Sequence, residues 1–208
     1  MKKIRLLGAF ERVDNATPEQ VRNQEVRLPG FQELSVHMVF DVKMDGKFTR
    51  KARLIADGHL TETLPKYDTY ASVVSRDSVR LAFLYAALND LDVLSCDITN
   101  AYLNADCAEK LWIEAGPEFG SEKGSVMKIK KALYGLKSAC NSWHATLSDT
   151  ITSMNFTPSR ADPNVYQRMA ITDKGERYRE WILVYVDDLI AISDKPKDVM
   201  DRIGKVYD

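Results

Sequence analysis

The stretch Trp181-Ile182-Leu183-Val184-Tyr185-Val186-Asp187-Asp188-Leu189-Ile190-Ala191-Ile192-Ser193 decides how the rest of the chain is read. Two apolar runs rich in β-branched residues flank a pair of adjacent carboxylates. Such runs read as short buried strands, with the acids at the turn between them. Burying an unpaired charge costs on the order of several kcal/mol, so acids between two core strands ask for a cation. A divalent metal is the natural candidate. The competing reading is an ordinary hairpin with an Asp-Asp tip, and the neighbouring segments have to separate the two.

Upstream, Val165 to Ile171, the turn Asp173-Lys174-Gly175 and Arg179 to Val186 read as strand, hairpin and strand. Downstream, Lys195 to Asp208 reads as an amphipathic helix. Further back, Leu91 to Ile98 is a short strand that delivers Asp97 at its end. Asp97 reads either as a helix-capping aspartate or as a third carboxylate facing Asp187 and Asp188. Two-metal phosphoryl chemistry needs acidic ligands from separate elements, holding ions roughly 3.5–4 Å apart. The helix before this strand has Ser75 as N-cap, Asp77 in its first turn and an apolar stripe of Val79, Ala82, Phe83, Ala86 and Ala87. Asn89-Asp90 ends it.

Basic residues concentrate on a ribbon nearer the N-terminus. His37 to Met44 is a strand, Asp45-Gly46 a two-residue turn, and Lys47 to Ala56 the returning strand, closed by Asp57-Gly58. Lys51 and Arg53 share a face because strand side chains alternate. A solvated edge strand carries such charges, and so does a finger that grips phosphates. Thr61 to Tyr70 is rich in turn residues. Lys110 to Glu114 and Ser125 to Ala132 read as strands on either side of the Gly116-Pro117 turn. A second helix begins near Ser138, with Trp143, Leu147, Ile151 and Met154 as its core stripe, and His144 reads as a partly exposed helix residue. Gly135, ahead of this helix, allows close backbone approach to a ligand or simply makes a turn. Residues 1–36 show no clear period and read as a poorly defined lead-in to a main domain of residues 37–208. The order of elements is α+β, with helices on one face of an antiparallel sheet.

Composition narrows the field. With 208 residues and 45% hydrophobic content, the chain can bury a sizeable core. A net charge of −1 gives no global signal for nucleic acid, so any such signal is local. Cys96, Cys107 and Cys140 are odd in number and lack metal-ligand spacing, which points to a reducing, intracellular setting. No long apolar run suggests a membrane span.

Four segments together resemble the reverse transcriptase domain of copia-type LTR retrotransposon polyproteins. They are Lys51-Ala52-Arg53-Leu54-Ile55-Ala56-Asp57-Gly58, Asp97-Ile98-Thr99-Asn100-Ala101-Tyr102-Leu103-Asn104, Lys131-Ala132-Leu133-Tyr134-Gly135-Leu136-Lys137-Ser138-Ala139 and Tyr185-Val186-Asp187-Asp188-Leu189. Their order and separation carry the resemblance over Val39 to Lys205. It implies an α+β right-hand polymerase fold of fingers and palm, with an antiparallel palm sheet backed by helices and without thumb or RNase H segments. It further implies RNA-directed DNA polymerase activity: a primer 3′-hydroxyl attacks the α-phosphate of a dNTP on an RNA or DNA template, and pyrophosphate leaves. By the resemblance Asp97 and Asp187 ligate two Mg2+ ions, which Mn2+ can replace, with Asp188 beside them. Tyr102 matches the aromatic that crowds a ribose 2′-hydroxyl, Lys51 and Arg53 the basic segment near the triphosphate, and Tyr134, Gly135 and Lys137 the nucleotide pocket. A cytoplasmic virus-like particle, or the nucleus, is the implied setting. Ser138, Cys140 and Asn141 depart from the Gln and Pro-Arg of the family pattern. That departure favours a second reading, an inactive retroelement remnant that at most binds nucleic acid. A third is another palm-fold metal enzyme such as a nucleotidyl cyclase, against which the finger hairpin and the Gly135 segment argue.

Overall fold

A computed structural model describes residue 4 and residues 7–44, 46–62 and 69–207. The chain divides into two compact units: Met1–Tyr70 with Tyr102–Trp143, and Ala71–Ala101 with His144–Asp208.

In the first unit, β1 (Phe10–Arg12) pairs antiparallel with β7 (Val126–Ile129), β7 with β6 (Leu111–Glu114), and β6 runs parallel to β2 (Gln32–Glu33). A short helix, α1 (Pro18–Arg22), lies between β1 and β2 and is held by a capping box of Thr17 and Gln20. The described residues before 37 thus supply β1, α1 and β2 to this unit. Their strands are two or three residues long, too short to show a period. Leu111, Trp112 and Ile113 are consecutive and all buried, as expected of a strand covered on both faces. The ribbon expected from the sequence is present as β3 (Val36–Val42) and β4 (Arg50–Ala56), antiparallel, with Asp41 opposite Lys51 and Val39 opposite Arg53. Its turn includes Asp45, which lies outside the described residues, as do residues 63–68 of the expected turn-rich stretch.

The second unit holds, among the described residues, a five-stranded antiparallel sheet in the order β5 (Asp92–Asp97), β11 (Asp188–Ser193), β10 (Arg177–Tyr185), β9 (Val165–Ile171), β8 (Thr157–Pro158). Helix α2 (Arg76–Leu88) starts as its sequence dictates, with the Ser75 side chain accepting the Ser78 N–H. The Tyr85 ring stacks on Trp181 at 4.5 Å, and its hydroxyl accepts the Arg179 N–H. Ala82 and Ala86 bury with Leu183, Val165 and Ile192. On the opposite sheet face Cys96, across from Leu189, sets its Sγ 3.3 Å from Met200 Sδ of α4 (Pro196–Tyr207). The expectation of helices on one face is thus corrected: alternation places Leu189 and Ile190 on opposite faces, and each face has a helix. The unbroken apolar run Trp181 to Val184 is the sequence form of that double coverage. Phe83 is also corrected, from core to 48% exposed. The remaining helix, α3 (Ala139–Ser153), begins in the first unit and continues into the second, with Trp143, Leu147 and Ile151 buried along its length.

One buried acid anchors the sheet. Glu180, 4% exposed, accepts the Arg168 Nε–H at 2.5 Å and the Ser193 hydroxyl at 2.5 Å. Arg168 in turn donates to the Met154 carbonyl and lies over the Phe156 ring at 4.4 Å. Every partner a buried carboxylate requires is thus supplied by packed elements.

Candidate active site

In the second unit the hairpin tip differs by one residue from the expected Asp187-Asp188 turn. Tyr185 pairs with Asp188, so the turn residues are Val186 and Asp187, and Asp188 opens β11. The reason lies in Val186, whose φ of 58° supplies the left-handed step of a tight hairpin. Such a φ in a β-branched residue is a strained conformation, of a kind that persists where surrounding structure enforces it.

This geometry separates the roles of the two acids. Asp188 sits directly across the sheet from Asp97, and the Asp187 carbonyl accepts the Ile98 N–H at 2.9 Å. Three sequence-expected acids are therefore brought to one end of the β5–β11 pair by backbone pairing alone. Asp97 and Asp188 are exposed and Asp187 is half-buried. Burial alone therefore does not demand a cation at Asp97 and Asp188, which are open to solvent. What stands in its place is a cross-strand pair of like charges, an arrangement that destabilises a sheet. Their field reaches the next residue: burial, with the charges of Asp97 and Asp188 adding to it, pushes the Cys96 thiol up. Carboxylate oxygens are hard donors suited to Mg2+ or Mn2+. Among the described residues no three His, Cys, Asp or Glu side chains already converge as a metal cage. His144 Nε2 lies 2.8 Å from Asn164 Oδ1, which ties its ring to the loop before β9.

In the first unit the structure joins two of the quoted motifs backbone to backbone. The Ala56 N–H donates to the Tyr134 carbonyl at 2.8 Å, and Ile55 bridges Tyr134 in parallel. A Cβ on Gly135 would lie 2.0 Å from the Ala56 carbonyl oxygen, and one on Gly58 would lie 2.3 Å from the Gly135 oxygen. Gly135 has φ +93° as well. Both glycines are thus required by the crossing of two chain segments, which is a reason for Gly135 independent of any ligand. Tyr134 meets Tyr102, with ring centroids 4.7 Å apart. Lys137 Nζ donates to the Thr61 carbonyl at 2.5 Å. Lys51 and Arg53 share a ribbon face with Asp41, which lies 3.8 Å from Arg53 in a half-exposed ion pair. Beyond them the ribbon displays Phe40, Met44 and Phe48, which are 76%, 85% and 63% exposed.

Two residues escaped the sequence reading. Glu109 is buried; its Oε1 accepts the Ser138 N–H at 3.2 Å and the Ser138 hydroxyl at 2.6 Å, and its Oε2 lies 3.4 Å from the Thr61 hydroxyl. Thr61 gives its proton to the Gly58 carbonyl at the shorter distance of 2.8 Å. Glu109 has no local pattern of its own, since Ser138 and Thr61 lie 29 and 48 residues away in sequence.

Residues 24–205 match the family described as reverse transcriptase (RNA-dependent DNA polymerase). The Pol polyprotein from transposon TNT 1-94 of Nicotiana tabacum is 30% identical over 97% of this chain, and that from transposon RE1 of Arabidopsis thaliana is 28% identical over 73%. The Ty1-BL Gag-Pol polyprotein of Saccharomyces cerevisiae is 30% identical over 82%. This chain spans 15%, 10% and 9% of the lengths of those relatives. With a matching region that contains the crossed glycines, the basic ribbon and the acid-bearing hairpin, the chain belongs to the reverse transcriptase family.

Proposed function

We propose that this chain carries the fingers and palm of an RNA-directed DNA polymerase of copia type. It would add a dNTP to a primer 3′-hydroxyl paired to an RNA or DNA template. The observation that supports the reading best is the like-charged pair of Asp97 and Asp188, set opposite each other with Asp187 at the adjoining strained turn. A sheet that only had to be stable would not favour this arrangement.

Reverse transcriptases generally use divalent metal ions, and Asp97, Asp187 and Asp188 have the donor chemistry to hold them. Bound there, such ions would neutralise the charge that develops on the phosphate and activate the attacking oxygen. The chain's own residues would bind and orient. Lys51 and Arg53 would pair with triphosphate oxygens. Tyr102 would stand against the 2′ position of the sugar and select deoxynucleotides. Tyr134, Gly135 and Lys137 would line the nucleotide pocket, Lys137 exchanging its bond to the Thr61 carbonyl for a phosphate oxygen. In the transfer a bond forms between O3′ and the α-phosphorus while the bond to the β-phosphate bridging oxygen breaks.

The test is extension of a labelled primer on an RNA template with Mg2+ or Mn2+, paired with calorimetric titration of each ion. Wild type is expected to bind the ion and extend, and Asp187→Asn to lose both. A wild-type chain that binds neither ion sinks the reading. One that binds primer–template in a salt-dependent way without extending it supports the inactive-remnant alternative, which the Cys140-Asn141 departure favours.

A further inference from the structure

We infer that Glu109 is a positioning residue of the nucleotide pocket, a role that rests on the function proposed above. The segments invoked for dNTP binding come from two places in the first unit: Lys51 and Arg53 on β4, and Tyr134 to Lys137 ahead of α3. Their backbones cross at Gly58 and Gly135. Just beyond the crossing, the Glu109 carboxylate bridges them. One oxygen takes both the N–H and the hydroxyl of Ser138, the residue after Lys137; the other faces Thr61, the residue whose carbonyl holds Lys137 Nζ. The Thr61 hydroxyl, bonded to the Gly58 carbonyl, ties this clasp back to the crossing.

The clasp rests on a buried acceptor oxygen. Glu109 is 8% exposed, and among the described residues no lysine or arginine forms an ion pair with it. Its charge is met instead by the N–H and hydroxyl at the start of α3, where the helix dipole favours an anion. Its Oε1 is the shared acceptor for the Ser138 N–H and hydroxyl, while Oε2 packs 3.4 Å from the Thr61 oxygen, whose proton goes to the Gly58 carbonyl. The Ser138 hydroxyl is committed to Glu109. Ser138 is therefore spent on fixing the pocket wall and not on contacting a nucleotide. With the clasp intact, Lys137 and Tyr134 are held at a fixed spacing from the base of the Lys51–Arg53 ribbon. Without it, the start of α3 and the Thr61 loop are joined only by the Lys137–Thr61 bond and the crossing behind them.

The experiment uses the chain with Glu109→Ala, Glu109→Gln and Ser138→Ala. It measures dNTP KM and kcat in primer extension, and circular dichroism to confirm folding at the assay temperature. Loss of hydrogen-bond partners at a buried site is expected to raise the dNTP KM about tenfold in Glu109→Ala, with kcat changed less. Glu109→Gln keeps an acceptor oxygen toward Ser138 and is expected to restore KM to within about threefold of wild type. Ser138→Ala, which keeps the N–H, is expected to fall between them. If Glu109→Ala folds and its KM equals that of wild type, the positioning role is overturned while the proposed activity stands. If Glu109→Ala does not fold, Ser138→Ala decides: an unchanged KM overturns the role. Equal falls in kcat with no KM effect would mark a purely structural residue and also overturn it. A wild-type chain with no dNTP incorporation instead removes the function on which the role rests.

Discussion

Glu109 in the first unit and the Asp97–Asp188 pair in the second are acids treated in opposite ways. Glu109 is buried and its Oε1 accepts two hydrogen bonds from Ser138. Glu180 in the second unit's core has the same treatment from Arg168 and Ser193. Asp97 and Asp188 instead face each other in solvent, next to a valine with φ 58°. Where an acid serves the scaffold, every local rule is obeyed. Where rules are broken together, with like charges opposed and a β-branched residue left-handed, stability has been given up for something else.

That contrast can be broken by mutation. The largest effect is expected at the glycine crossing. Gly135→Ala places a Cβ against the Ala56 carbonyl at φ +93° and should cost about 3–5 kcal/mol in urea unfolding. Gly124→Ala, at φ +77° with open space around it, should cost only about 1–2 kcal/mol. Equal losses at the two sites would show that backbone conformation, and not the crossing, sets the requirement.

Next comes the satisfied acid of the core. Arg168→Ala strands Glu180 in a buried position and should cost about 3 kcal/mol. A loss under about 1 kcal/mol would place Glu180 among ordinary surface acids and weaken the contrast.

At the acid end of the sheet the sign should reverse. Val186→Gly relieves the left-handed φ and should stabilise the protein by about 1 kcal/mol, after allowing for the flexibility of glycine when unfolded. Destabilisation would mean that packing of the valine side chain dominates. The smallest expected change is Asp97→Asn, which removes one of two opposed charges and should gain about 0.5 kcal/mol without divalent ion. The same substitution should weaken Mg2+ binding at least about tenfold in calorimetry, losing a charged ligand worth about 1.4 kcal/mol or more. A variant that loses stability yet binds Mg2+ as before would end the case for Asp97.

Much of this was legible in local pattern. The Ser75 cap, the Trp143–Leu147–Ile151 stripe and the Val165–Ile171 strand follow from periodicity and capping, because each is satisfied within a few neighbouring residues. Residues 10–12 and 32–33 were not legible as strands, since two or three residues cannot show a period. The one-residue shift of the hairpin tip onto Val186-Asp187 was hidden for another reason. Nothing local announces a valine at positive φ; the register of β10 against β11 imposes it.

Its four motifs carried a resemblance to reverse transcriptases, and by itself the sequence determined that strand ends would carry Asp97, Asp187 and Asp188 and that a basic ribbon would hold Lys51 and Arg53. These depend on residue type and short-range spacing. Only the tertiary structure decided that Asp188 is the acid opposite Asp97, that these two are exposed, and that helices cover both faces of the sheet. It alone also showed Gly58 and Gly135 crossing, and Glu109 bridging the two segments beyond them. Pairing register and backbone crossings join residues tens of positions apart, and no local pattern encodes that distance.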